Sequence, residues 1–128
     1  MKFFKSEETK FIEIVVNSLA KRGHEHIKAS LSKYKIPAKV VKKSTDTIFI
    51  PVVSSKKDNV LWLYSIVTPK NLIEKDLISK WRLFHEFSIQ SGSMFYIVFR
   101  KGMLIDVQKL MDDNNIIAKL WDFDKKEK

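Results

Sequence analysis

Residues 58–68, DNVLWLYSIVT, are rich in β-branched and aromatic side chains, carry almost no charge, and are too few for a comfortable helix. That composition reads as a strand buried on both faces in the middle of a sheet. Alternation sends Val60, Trp62, Tyr64 and Ile66 one way and Leu61, Leu63, Ser65 and Val67 the other. Both sets are apolar apart from Ser65, so the strand requires cover on each side. The rest of the chain supplies it.

Upstream, Ser6 is placed to cap a helix over 6–22, with Glu7 and Glu8 in its first turn and Gly23 as its stop. Phe4, Phe11, Ile12, Val15 and Leu19 share one face of that helix at the expected spacing. Glu8 falls near the middle of the same face, which suits either first-turn electrostatics or a role in a site. Residues 24–35 read as a short second helix, with Ile27, Leu31 and Tyr34 on one side. Its histidines, His24 and His26, suit a loop or helix end better than a metal, since the chain has no cysteine and its third histidine, His85, is distant. Ala38 to Lys43 alternates weakly, Ser44 to Asp46 makes a turn, and Thr47 to Val53 is a strand that Pro51 pushes toward an edge or bulge. With Ser54 to Asp58 as a polar connection, Thr47–Val53 and Asn59–Thr68 form a hairpin.

Downstream, Pro69 ends the central strand. Asn71 with Glu74 resembles a capping box opening a helix over 71–91, whose apolar face is Ile73, Leu77, Trp81, Phe84 and Phe87 and whose stop is Gly92. Met94 to Phe99 is a further strand, Lys101–Gly102 a turn, and Met103 to Val107 a short returning strand. Short helical pieces follow, and 122–128 reads as a disordered charged tail. The expected architecture is α/β in one domain over 1–121, a mixed sheet of four or five strands flanked by helices.

The 128 residues carry a formal charge of +9 and no cysteine. The excess is uneven: eight Lys or Arg against the single acid Glu25 between Lys21 and Lys43. A concentrated cationic excess on a small domain favours a polyanionic partner, nucleic acid above all, because neutralising phosphates releases counterions. Lys39, Lys42, Lys43, Lys56, Lys57 and Lys70 are the expected phosphate contacts. No apolar run reaches the roughly 18–20 residues that span a bilayer, and the opening MKFFKSEETK lacks the apolar core of a signal peptide, so no membrane and an intracellular location are expected.

The run from Leu77 to Leu110, LISKWRLFHEFSIQSGSMFYIVFRKGMLIDVQKL, and the front SEETKFIEIVVNSLAKRGH resemble the PD-(D/E)xK, restriction-endonuclease-like superfamily, most closely the archaeal-type Holliday junction resolvases. The resemblance implies an αβββαβ core, a DNA partner and a homodimer. It also implies an acid on the first helix, an acid opening the second strand, and (D/E)xK on the third, which together hold Mg²⁺ or Mn²⁺ and activate water. On these positions Glu8 matches the first acid and Asp46 the second. The third strand departs from the pattern: YSIVT has Ser65 where the acid belongs and Val67 where the lysine belongs. Lys57, Lys70, Lys80 or Glu74 are the groups that could replace them. A segment of strand, KWRLFHEF and strand is similar also to the C-terminal domain of archaeal tRNA-splicing endonucleases, whose catalytic histidine would fall at Asp58 or Asn59.

These readings point to a DNA-binding protein of resolvase-like fold that has lost catalysis and needs no cofactor. The alternatives are a Mg²⁺- or Mn²⁺-dependent endonuclease with a rearranged site, and a non-catalytic structural or protein-interaction subunit. The restoring change Ser65→Glu with Val67→Lys tests whether the third strand keeps the family register.

Overall fold

The computed structural model describes residues 6–100 and 102–123. The elements run α1 (Glu7–Lys21), β1 (Glu25–Ala29), β2 (Val40–Lys42), β3 (Thr47–Phe49), β4 (Val53–Lys57), β5 (Val60–Val67), α2 (Leu77–Ser91), β6 (Met94–Phe99), α3 (Leu104–Asp113) and β7 (Lys119–Asp122). A five-stranded mixed sheet in the order β1-β4-β5-β6-β7 has β5 at its centre, and β2 with β3 forms a separate two-stranded ribbon. β1, β4 and β5 are antiparallel, while β6 and β7 continue the sheet in parallel with β5. Parallel neighbours require a crossover, and α2 and α3 supply the two needed.

The expected two-sided burial of the central strand holds. Leu63 and Ile66 are 2% and 5% exposed, and Trp62 is half-buried. Leu61, Leu63 and Val67 join a core with Trp81 and Phe84 of α2 and Val107 and Met111 of α3. Trp62, Tyr64 and Ile66 join a second core with Phe11, Val15 and Leu19 of α1. Ser65 is the polar exception, and Trp81 Nε1 donates to its Oγ at 3.0 Å. The bond ties the middle of α2 to the middle of the sheet.

Helix α1 begins where capping predicts: Ser6 Oγ accepts from the Thr9 amide at 3.0 Å. Other expectations are corrected. Residues 25–29 are an edge strand, not a helix, because they pair antiparallel with β4. The hairpin is β4 with β5, and Ser54–Lys57 is strand rather than connection. Its turn is Asp58–Asn59 alone, both at positive φ (53° and 65°), the twist that two-residue hairpin loops require. Asn71 does not cap α2. Its Oδ1 accepts from the Thr68 amide and hydroxyl, both at 2.8 Å, closing the end of β5, and α2 starts at Leu77. Ile73 is therefore off the apolar face and 86% exposed. Met103–Val107 opens α3 rather than pairing as a strand, and Val107 buries into the α2-side core. Asp122 closes β7 and Phe123 packs on Trp121. Phe4, Lys101 and residues 124–128 lie outside the described residues.

Trp81→Phe removes the donor and leaves the buried Ser65 hydroxyl unsatisfied. It should cost about 1–3 kcal/mol in denaturant unfolding, and Ser65→Ala on that background should recover part of the loss.

Candidate nucleic-acid interface

Two clefts hold Glu8, Lys39 and Lys56 of the site residues singled out by sequence. The smaller, about 60 Å³, lies at the carboxyl end of β5 and is lined by Glu8, Ser65, Asn71, Glu74 and Lys80 among others. Asn71 Nδ2 donates to Glu74 Oε1 at 2.6 Å, and Lys80 Nζ stands 3.9 Å from Glu74 Oε2. Asp46 is not part of this cleft. It ends the 3-10 turn between β2 and β3 in a left-handed conformation and is exposed. Among the described residues no three His, Cys, Asp or Glu side chains are close enough to hold a metal ion. Glu8 thus shares a cleft with Glu74 and Lys80, and not with Asp46. Val67 is fully buried beneath α2, so the position at which the nuclease resemblance implies a lysine is core.

The larger cleft, about 180 Å³, opens between the β2–β3 ribbon and the outer strands. Its floor is Val40, Leu61, Leu63 and Phe87, and its rim carries Lys28, Lys39, Lys56 and His26. Lys28 and Lys56 share a face because Lys28 pairs with Ser54, two residues from Lys56 on β4. A β-bulge makes this possible: β1 advances three residues from Glu25 to Lys28 while β4 advances two, and His26 takes φ 49° at the bulge. Bulges re-aim side chains in this way, and a histidine at positive φ is uncommon enough to mark the spot. Lys28, Lys39 and Lys56 have no ion-pair partner among the described residues.

The remaining expected lysines scatter. Lys42 holds Glu86 of α2 at 3.1 Å, a half-exposed pair of small energetic weight. Lys43 is exposed on the turn that follows β2. Lys57, one residue from Lys56, alternates to the α1 side, and Lys70 follows the opposite end of β5. Lys28 is not legible as a cleft residue from sequence, and His26 reads as a loop or helix-end residue, because 24–35 fits a helical period. The dense positive charge of 21–43 was the available signal.

The α1 side carries a buried polar chain. His24 Nδ1 lies 2.8 Å from Ser55 Oγ, which lies 3.2 Å from Tyr64 Oη. Burial, then the nearby Lys57 and Arg22, holds the His24 imidazole below its ordinary value of 6.5, and burial pushes the Tyr64 hydroxyl up. Ser55 is 0% exposed, so no substrate reaches it and the chain fastens the sheet.

No protein-family model matches the chain, and neither a curated protein nor a solved structure matches it.

Two outcomes follow from these surroundings. Val67→Lys, half of the restoring change, puts an ammonium group into the α2-side core and should destabilise the fold by about 4 kcal/mol or more in chemical denaturation. His24 binds its proton less readily folded than unfolded, so protons favour the unfolded chain once pH falls below about 6.5. Stability measured by thermal melting should therefore fall from neutral pH toward pH of about 5.5, and His24→Gln should flatten that slope.

Proposed function

We propose that the protein binds nucleic acid, DNA in the first instance, through the cleft of Lys28, Lys39 and Lys56, and that it does not hydrolyse it. The observation that carries this reading is the convergence on one cleft of Lys28 of β1, Lys56 of β4 and Lys39 from the segment that enters β2, none with a carboxylate partner among the described residues. Cations held so are available to phosphates, and each phosphate neutralised releases counterions and adds affinity that salt removes. The apolar floor keeps the lysine stems extended, since long side chains lay their methylenes along such surfaces and present the charge outward.

The proposal extends to the architecture. A helix, three antiparallel strands, a helix and a parallel strand favour a restriction-endonuclease-like core, with the β2–β3 ribbon inserted after its first strand and α3 with β7 added at its end. Loss of catalysis is supported by the third strand: Ser65 is spent on Trp81, and Val67 lies in the core. Water activation by Mg²⁺ or Mn²⁺ needs clustered carboxylates, and the small cleft offers Glu8 and Glu74, the latter already engaged by Asn71 and Lys80. The same cleft supports a second reading. Glu8, Glu74 and Lys80 come together at the carboxyl end of β5, where a rearranged metal endonuclease would hold its acids and lysine.

Lys39→Glu with Lys56→Glu should weaken binding of a labelled duplex by tenfold or more at moderate salt and lower the slope of log affinity against log salt by about 2. Unchanged affinity and slope would reduce the charge to a solubility device. The purified parent should show no cleavage of duplex, junction or single-stranded DNA with Mg²⁺ or Mn²⁺. Cleavage that disappears in Glu8→Gln would establish the enzyme reading instead.

A further inference from the structure

The sheet face beneath α1 is only partly covered. α1 buries Val53, Tyr64, Ile66 and Val98, whereas Trp62, Tyr96 and Trp121 remain half-buried beyond its last turn. The register sets these rings side by side: Tyr96 pairs with Tyr64 and Lys119, and Trp121 pairs with Val98. Two-residue alternation then brings Trp62, Tyr96, Lys119 and Trp121 to one face of three adjacent strands.

The rings are fixed in orientation. Trp62 and Tyr96 lie 5.3 Å apart and within 8° of parallel. The His24 ring meets Trp62 edge-on at 4.7 Å, and His24 is itself held by Ser55. The Arg22 guanidinium sits 4.8 Å from the centre of the Trp121 ring. Lys57 and Arg22 are near enough to His24 to disfavour its protonation, and Lys119 is exposed beside Tyr96. Acids at this end include Asp58, in the β4–β5 turn, and Glu25, next to His24 at the start of β1.

From this face we infer a stacking platform for unpaired bases of a single-stranded nucleic acid, with Trp62 and Tyr96 against the bases and Arg22, Lys57 and Lys119 toward the phosphates. The inference rests on the reading that nucleic acid is the partner, and it adds a class: strands with exposed bases, held on the sheet side opposite the lysine cleft. Three features favour this occupant. Trp62 and Tyr96 already stack on each other, so a base would extend an existing stack, a contact that tolerates sequence because every base has a π-face. Rings already braced lose little conformational freedom on stacking. The surrounding cations match the sign of a nucleic-acid backbone.

Anisotropy titrations of labelled strands test it. Oligothymidylate and oligouridylate of about 12 nucleotides are compared with an abasic strand of equal length and charge, because stacking on aromatic side chains should strengthen binding by about tenfold or more and an abasic strand cannot stack. Tyr96→Leu should erase the difference and leave duplex binding unchanged, while Lys39→Glu with Lys56→Glu should weaken duplex binding and preserve the difference. A parent that binds duplex yet does not distinguish either oligonucleotide from the abasic strand overturns the platform and leaves the proposed function standing. Discrimination that persists when the cleft variant binds duplex normally supports the platform and removes the cleft. Absence of binding to every strand overturns both. Self-association of the parent that Tyr96→Leu abolishes would assign the face to a second copy and overturn the platform. The comparison within the parent needs no variant, so a Tyr96→Leu chain that fails to fold does not shelter the inference.

Discussion

A strand buried on both faces can hold a polar side chain only if a partner reaches it. In β5 that side chain is Ser65, and the partner is the Trp81 indole, 3.0 Å away. A hydroxyl left alone there would cost about 1–3 kcal/mol, a sizeable part of the stability of a domain this size. The bond therefore fixes where α2 crosses the sheet. Trp81 is itself fully buried, so the donor cannot swing away to water. The position of β6, which α2 feeds, and the depth of the small cleft above Ser65 both follow from this crossing. On the resolvase-like reading, the residue that replaced a catalytic acid became an anchor for the helix above it.

The two faces of the sheet solve burial differently. Beneath α2 and α3 the side chains are almost wholly apolar, with Ser54 and Ser65 as buried polar exceptions. Beneath α1 the layer mixes aliphatic packing with the His24–Ser55–Tyr64 chain and a cluster of rings. α1 spans Glu7–Lys21 and runs out before the far end of the sheet. The rings beyond it are braced by one another, by the His24 ring and by the Arg22 guanidinium over Trp121 instead of by a helix.

The most legible features were those that depend on one periodicity sustained over many residues. β5, α1 and the body of α2 each have a long pattern and a buried consequence, and the side each β5 residue faces followed from alternation. Short elements were misread where local chemistry competed. Glu25–Ala29 is five residues with a bulge, so its period-two signal is broken at His26 and a helical spacing fits as well. Lys43–Asp46 and Pro51 hid the division of 47–57 into β3, which pairs with β2, and β4, which joins the main sheet. At the small cleft, Glu8 was legible from its place on α1, and Glu74 and Lys80 were named as replacements. The absence of Asp46 from that cleft was not legible, because it depends on where the β2–β3 ribbon docks. Lys28 was lost with the strand that carries it.

That ribbon has a mechanical consequence. β2 and β3 pair only with each other, and what holds them is lateral: the Lys42–Glu86 pair, the Lys80 ammonium 5.8 Å from the Phe49 ring, and Val40 against the α2-side core. Two-stranded ribbons are marginal by themselves, so the order of this one is borrowed from α2. It belongs among the segments that open at a fraction of the global unfolding free energy. Since the ribbon's entry, Ala38 to Val40, is one wall of the lysine cleft, the width of that cleft is an equilibrium quantity rather than a fixed dimension. On the proposed reading, a bulky polyanion would enter by displacing a jaw hinged on a few side-chain contacts, while the five-stranded sheet beneath stays intact.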